Sequence, residues 1–124
     1  MTAGKRLAVI GAGAVGGSVV DLAGAYGHTV VAFADSGSAA VGSGGIDADA
    51  ALERKRTDGH VGDGDPEDAL HADYDVLIEA TPTTLGDAEP GFSHVRTALE
   101  RDRHAVLANK GPVAERYGDV RELE

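Results

Sequence analysis

Four apolar residues, Leu7-Ala8-Val9-Ile10, run straight into Gly11-Ala12-Gly13-Ala14-Val15-Gly16. A short continuous apolar run is the pattern of a strand buried on both faces of a parallel sheet. Beyond it, Val15, Val19, Leu22, Ala23 and Tyr26 recur at helical spacing, and Gly27 is placed to end the helix. The G-x-G-x-x-G pattern therefore stands at a strand-to-helix junction, and each glycine has a task there. Gly11 permits the tight turn, Gly13 lets a pyrophosphate approach the backbone, and Gly16 lets the helix pack close on the sheet. The helix start, with Ala14 and Val15 in its first turn, offers free N–H groups and a positive dipole end to the anion. In a chain with 18 glycines among 124 residues the pattern alone is weak. Its position between strand and helix favours a dinucleotide site over a purely structural turn.

The composition narrows the alternatives. Asp and Glu number 21 against 11 Lys and Arg, a formal net charge of -10, which argues against non-specific nucleic-acid binding and against docking on an anionic membrane. Backbone dipoles let so acidic a chain attract a polyanion without additional lysines. The chain has no Cys, so disulfide scaffolds, thiolate metal sites and cysteine nucleophiles are excluded. An apolar fraction of 42% is too high for disorder, and the length suits one domain. Only 3 of the basic residues are Lys, whereas 13 of the acidic ones are Asp. An Asp-rich, Lys-poor surface stays hydrated in concentrated salt, where charge repulsion is screened over only ~3 Å at 1 M, and it points to a halophilic source; an ordinary acidic protein is the plainer alternative. Lys5-Arg6 and the apolar run to Val20 have the outline of a secretory signal, but Gly11, Gly13, Gly16 and Gly17 interrupt the run. No stretch reaches the ~18 apolar residues of a membrane span, and the expected location is cytoplasmic.

The remaining chain alternates strand and helix patterns. Residues 28–34 (HTVVAFA) form a second β-branched strand closed by Asp35-Ser36-Gly37, and the Gly/Ser/Ala-rich stretch 37–45 reads as a loop. A helix is expected over 46–56, with Asp47 or Asp49 at its start and Arg54, Lys55 and Arg56 at its end. Between 57 and 75 the pattern is weakest: residues 59–61 suggest a short edge strand and 66–71 a helical turn or two. A third buried strand follows at 75–80 (DVLIEA), a loop at 82–89, a helix from Pro90 to about Arg103, a strand at 104–108, a turn at 109–112 and a last helix opened by Pro112. The order specifies an α/β fold: a Rossmann-type doubly wound parallel sheet in a single domain, without internal repeats.

Several residues at the expected strand ends carry candidate chemistry. Asp35 stands nineteen residues after Gly16, where a carboxylate accepts hydrogen bonds from the adenosine ribose, favouring NAD and repelling a 2′-phosphate; ordinary turn chemistry also accounts for it. Against an NAD-only reading stands the cluster Arg54-Lys55-Arg56, one of whose members meets a 2′-phosphate if the 37–45 loop folds back; a solvated helix end is the plainer role. Glu79 interrupts an apolar strand, so it needs a hydrogen-bond network or a role in a site. Thr81-Pro82-Thr83 leaves that strand end toward the nicotinamide side of the cleft, or is a simple loop. Lys110 follows the next strand end, where a compact cation can hold a substrate carboxylate or polarise a carbonyl. The five His residues show no metal-ligand spacing, and neither they nor the serines are assigned chemistry.

At Glu79-Ala80-Thr81-Pro82-Thr83, at Glu89-Pro90-Gly91 and at Ala108-Asn109-Lys110-Gly111-Pro112 the sequence resembles homoserine dehydrogenase. With the glycine motif the resemblance covers nearly the whole chain, apart from about Val41 to Ala72. It implies an N-terminal NAD(P)-binding domain, here residues 1–122, to be followed by dimerisation and catalytic regions that this chain does not contain. Leu123-Glu124 reads as a cloning scar. The implied reaction is the reversible reduction of aspartate 4-semialdehyde to homoserine by NAD(P)H, in threonine, methionine and isoleucine biosynthesis, by a homodimeric parent; the isolated domain is expected to bind NAD or NADP without turnover. The resemblance puts Gly11, Gly13, Ala14, Val15 and Gly16 at the pyrophosphate and Thr81 and Pro82 by the nicotinamide ribose. It puts Lys110 at the cofactor–substrate junction and Lys55, by a loose match, at a 2′-phosphate. An aspartate dehydrogenase-like enzyme and a stand-alone nucleotide-sensing module are the alternatives.

Overall fold

The computed structural model describes residues 4–81 and 91–107. Among these, β1 (Arg6–Ile10), β2 (Thr29–Ala34), β3 (Ala39–Val41), β4 (Val76–Glu79) and β5 (His104–Leu107) form one sheet, in the order β3-β2-β1-β4-β5. The pairings β1–β2, β1–β4 and β4–β5 are parallel. Helices α1 (Ala14–Ala23), α2 (Ala48–Asp58), α3 (Pro66–Leu70) and α4 (Gly91–Glu100) supply the layers.

The central strand shows why both faces must be covered. Successive side chains of a strand point to opposite faces, and Leu7 and Val9 enter one apolar cluster with Val20, Phe33 and Ala51. Ala8 and Ile10 enter another with Leu70, Tyr74, Leu77 and Ala98. The first cluster receives α1 and α2, and the second receives α3 and α4. This is the doubly wound arrangement expected from the alternating apolar runs.

The chain leaves β1 toward β2 on one side and returns to the other side of β1 in β4, so the strand order reverses between β1 and β4. Ligands of open α/β sheets bind outside the carboxyl ends of the strands at such a switch point. Register aligns those ends: Ile10 pairs with Ala34 on one side and Glu79 on the other, and Glu79 pairs with Leu107. The segments beginning at Gly11, Asp35 and Ala80 therefore open along one edge.

Two local expectations change. The stretch 37–45, expected as a loop, contains β3, which pairs antiparallel with β2. Its outer side is satisfied by Gly64: Ala39 and Gly64 exchange both backbone hydrogen bonds at 2.8 Å, and a Cβ on Gly62 would lie 2.4 Å from the Ala39 carbonyl oxygen. Gly62 and Gly64 on the neighbouring segment let its backbone approach Ala39, and 37–45 is not a free loop. Residues 59–61 form no strand. Gly59 ends α2, its N–H donating to the Lys55 carbonyl at 3.1 Å, and the buried Val61 donates its N–H to Ser38 Oγ at 3.0 Å.

Helix boundaries follow local chemistry. The α2 start moves to Ala48 because the Asp47 carboxylate accepts from the Ala50 N–H at 3.1 Å. The first helix tightens after Ala23 into a 3-10 turn, Gly24–Tyr26, closed by Gly27. Within the hard-to-read 57–75 stretch, the fully buried Tyr74 donates its hydroxyl to the Leu70 carbonyl at 3.0 Å. The Arg101 guanidinium lies 5.1 Å from the Tyr74 ring centroid and donates to the same carbonyl at 2.7 Å. Among the described residues no helix is long and apolar enough to cross a membrane, and no group of three potential metal ligands is found.

Candidate functional site

A cleft of ≈ 540 Å³ opens at the carboxyl edge of β1, β2 and β4, and its lining includes Gly11, Gly13, Asp35, Lys55, Thr81 and His94. The three motif glycines are required for three different reasons. Gly11 has φ +113°, and a Cβ there would lie 2.4 Å from the Ala80 carbonyl oxygen, so only glycine passes between the β1 and β4 ends. A Cβ on Gly16 would lie 1.7 Å from the Gly11 carbonyl oxygen; its absence sets α1 directly onto the turn. Gly13 differs from both. It has ordinary negative φ (−81°), and a Cβ would meet nothing within 4 Å. The protein itself makes no demand for glycine at position 13, and the space beside it belongs to the cleft.

The start of α1 faces that space. The first turn of a helix has N–H groups without intrahelical acceptors, and at Gly13, Ala14, Val15 and Gly16 no side chain caps them and no acidic residue stands in the turn. Backbone donors and the dipole together form an anion site. Val15 is exposed at this end, lying with Ala14 beside an apolar hollow on the outer face of α1.

On the β2 side Asp35 is both a turn residue and a cleft residue. Its Oδ1 accepts from the Gly37 and Ser38 N–H groups at 2.9 and 2.6 Å and from the Ser38 hydroxyl at 2.8 Å. Its Oδ2 accepts from Lys55 Nζ at 2.9 Å. Burial opposes ionisation here, but the Lys55 ammonium, the two amides and the hydroxyl outweigh it and hold the carboxyl at about 2. Lys55 reaches the cleft from the last turn of α2 and also donates to the Gly59 carbonyl at 3.2 Å. The neighbouring cations are engaged elsewhere, Arg54 with Asp63 at 2.8 Å and Arg56 with Glu53. Of the basic cluster, Lys55 is the member that the fold delivers to the cleft.

On the β4 side Thr81 lies at the cleft, its N–H donating to Glu79 Oε1 at 2.9 Å and its hydroxyl to the same oxygen. Glu79 is completely buried. Its Oε2 meets His94 Nδ1 at 2.5 Å, and His94, on α4, lines the cleft. Sequence reasoning assigned His94 nothing. The signal that would have found it is Glu79 itself, a buried carboxylate that must have donors. Pro82 and Lys110 lie outside the described residues, as do the 82–89 loop and everything from 108 onward.

A profile of the Glutamate/Leucine/Phenylalanine/Valine dehydrogenase family matches residues 1–84, from the amino terminus through the glycine turn, Asp35 and Thr81. The chain belongs to this dehydrogenase family. Individual proteins similar to the chain include homoserine dehydrogenases. The homoserine dehydrogenase of Methanocaldococcus jannaschii is 33% identical in an alignment 100 positions long that covers 73% of this chain and 30% of that protein. The NAD(+)-dependent homoserine dehydrogenase of Pseudomonas canavaninivorans is 45% identical over 49 residues, 40% of this chain and 14% of that one. The crystal structure of homoserine dehydrogenase from Thermoplasma acidophilum superposes with a TM-score of 0.82 at 28% identity, covering 96% of this chain and 39% of that chain. The chain thus spans less than a third of the length of the curated relatives it matches. Its sheet and helices are those of a dehydrogenase dinucleotide-binding fold.

Proposed function

We propose that residues 1–122 form the NAD(P)-binding domain of a homoserine dehydrogenase-like oxidoreductase. On this reading a longer parent interconverts L-homoserine and L-aspartate 4-semialdehyde, and the 124-residue chain binds cofactor without turnover. The observation that carries the cofactor reading is Gly13, a motif glycine that the fold does not need, beside an uncapped helix start in the cleft.

The residues present fit a nicotinamide dinucleotide. The pyrophosphate would be held by Gly11, Gly13 and the N–H groups of Ala14, Val15 and Gly16. The adenosine ribose falls toward Asp35. Thr81, with Pro82 next in sequence, takes the nicotinamide side, and Lys110, three residues beyond the end of β5, orients the aldehyde. The nicotinamide, when bound, supplies the hydride acceptor or donor. The Asp35–Lys55 pair accommodates both cofactors: the carboxylate accepts from a ribose diol, whereas a 2′-phosphate recruits the ammonium.

The reading also places the parent in the cytoplasm as a homodimer in amino-acid biosynthesis, and the acid excess suits a halophilic source. A dehydrogenase acting on another amino acid, such as aspartate, is the second reading, favoured by the family profile over residues 1–84.

Titration calorimetry with NADH and NADPH tests the cofactor assignment, and binding of neither overturns it. Lys55→Ala is expected to weaken NADPH by about tenfold, the worth of one charge-assisted contact, and to change NADH by less than twofold. Equal losses for both cofactors contradict the placement of Lys55.

A further inference from the structure

Glu79 is a costly choice for its position. It is 0% exposed, in a strand whose other residues are Val76, Leu77 and Ile78. Burying a carboxylate there is destabilising by several kcal/mol unless donors surround it. The donors it has all belong to the cleft rim: the Thr81 N–H and hydroxyl on Oε1, and the His94 ring on Oε2. A leucine would satisfy the core equally well. What Glu79 provides is a fixed orientation for two polar side chains, one on the strand exit and one on α4.

The consequence is clearest for His94. Its side chain is 15% exposed, and that exposure is toward the cleft. With Nδ1–H donating to Glu79 the tautomer is set, and Nε2 is the nitrogen left to a ligand, as in other carboxylate-oriented histidines. The side of the cleft is also set. β2 and β4 flank β1 on opposite sides, and the Gly11–Gly13 turn lies between Asp35 and Thr81, against the Ala80–Thr81 backbone. A dinucleotide with its pyrophosphate over Gly13 and its adenosine at Asp35 must carry its second ribose to the Thr81–His94 side. A ribose hydroxyl both donates and accepts, so it suits Nε2 whether that nitrogen bears a proton or a lone pair.

We propose that His94, oriented by the buried Glu79, hydrogen-bonds the nicotinamide-side ribose of the cofactor, with Glu79 as its positioning residue. This rests on the NAD(P) reading of the same cleft. ADP and ADP-ribose separate the two, because they differ by the terminal ribose alone. The unaltered 124-residue chain is expected to bind ADP-ribose more tightly than ADP. His94→Ala should lower ADP-ribose and NADH affinity by about tenfold, the loss of one hydrogen bond to a polar ligand, and leave ADP unchanged. His94→Gln, which keeps a polar nitrogen at the rim, should recover part of the loss, and Glu79→Gln should show the same ribose-specific deficit as His94→Ala in reduced degree. Equal weakening of ADP and ADP-ribose in His94→Ala, or no weakening of either, overturns the contact while leaving the cofactor reading standing. Failure of the unaltered chain to bind NADH, ADP-ribose or ADP overturns both.

Discussion

The start of α1 and the starts of α2 and α3 are built in opposite ways. The Asp47 carboxylate closes α2 on the Ala50 N–H at 3.1 Å. At α3, Asp65 accepts from Glu67 N–H at 2.9 Å while Asp68 reaches back to the Asp65 N–H at 3.1 Å, behind Pro66. These two ends carry acids in the first turn. The α1 end has glycine at the cap, no side-chain acceptor and no acid. With glycine in place of a capping carboxylate the helix forgoes about a few tenths of a kcal/mol. In a chain with 21 acidic residues, leaving the α1 start clear of carboxylates keeps a positive end available for an external anion. The same chemistry that closes α2 and α3 locally is withheld from α1, whose start faces the cleft.

The most severe way to break this contrast is Gly16→Ala. Its new Cβ would stand 1.7 Å from the backbone oxygen of Gly11, and neither side can yield without moving the turn. Denaturant unfolding should show a loss of about 3 kcal/mol or more. A loss under about 1 kcal/mol would mean that α1 is not seated on the glycine turn as described.

A second test concerns Asp35, the acid that lines the cleft with Gly13. Asp35 titrates at about 2 instead of 3.8 because Lys55, the Gly37 and Ser38 amides and the Ser38 hydroxyl outweigh the cost of burial. Its folded-state pKa is depressed, so the stability it contributes is complete above about 4 and is lost as the pH falls through about 2. The contribution is at most about 2 kcal/mol. Asp35→Asn should flatten that acid limb in pH-dependent melts. An unchanged limb would show that the local donors do not neutralise this carboxylate, and that it repels anions bound at α1.

The reciprocal pair Asp47→Ala and Gly13→Asp gives the smallest shifts. Removing the α2 cap should cost about 1 kcal/mol and leave NADH affinity unchanged. Adding a carboxylate at the α1 cap should stabilise by a similar amount or less and abolish NADH binding. Loss of NADH binding in Asp47→Ala would remove the distinction between the helix ends.

The contrast also explains how much could be read in advance. The β1 run, the glycine turn, β2 and β4 are written in adjacent residues, because buried strands and G-x-G-x-x-G are local patterns. The roles of Gly11 and Gly16 follow from that pattern, and the close approaches to Ala80 and Gly11 fit it. The Asp35 position offered two readings, turn and ribose acceptor; Oδ1 serves the turn, while Oδ2 is held by Lys55 at the cleft. What stayed illegible depends on long-range pairing. Ala39–Val41 has no strand signature of its own and becomes β3 through β2 and Gly64. The 57–75 stretch is organised by Tyr74 and by Arg101, 26 residues or more away from it in sequence. His94 meets Glu79 only because α4 packs on β4 across a separation of 15 residues.

On the proposed reading the dinucleotide binds at the uncapped α1 start beside Gly13. Calorimetric titration of NADH and NADPH into the unaltered chain and into Gly13→Val tests it most directly. A Cβ at position 13 meets no protein atom within 4 Å, so the variant should still fold, its Tm lowered by no more than about 5 °C, the cost of valine in place of glycine at a helix cap. Its branched side chain fills the space over the helix start, and heat of binding for both cofactors should disappear. A folded Gly13→Val chain that binds NADH with unchanged affinity would contradict the assignment.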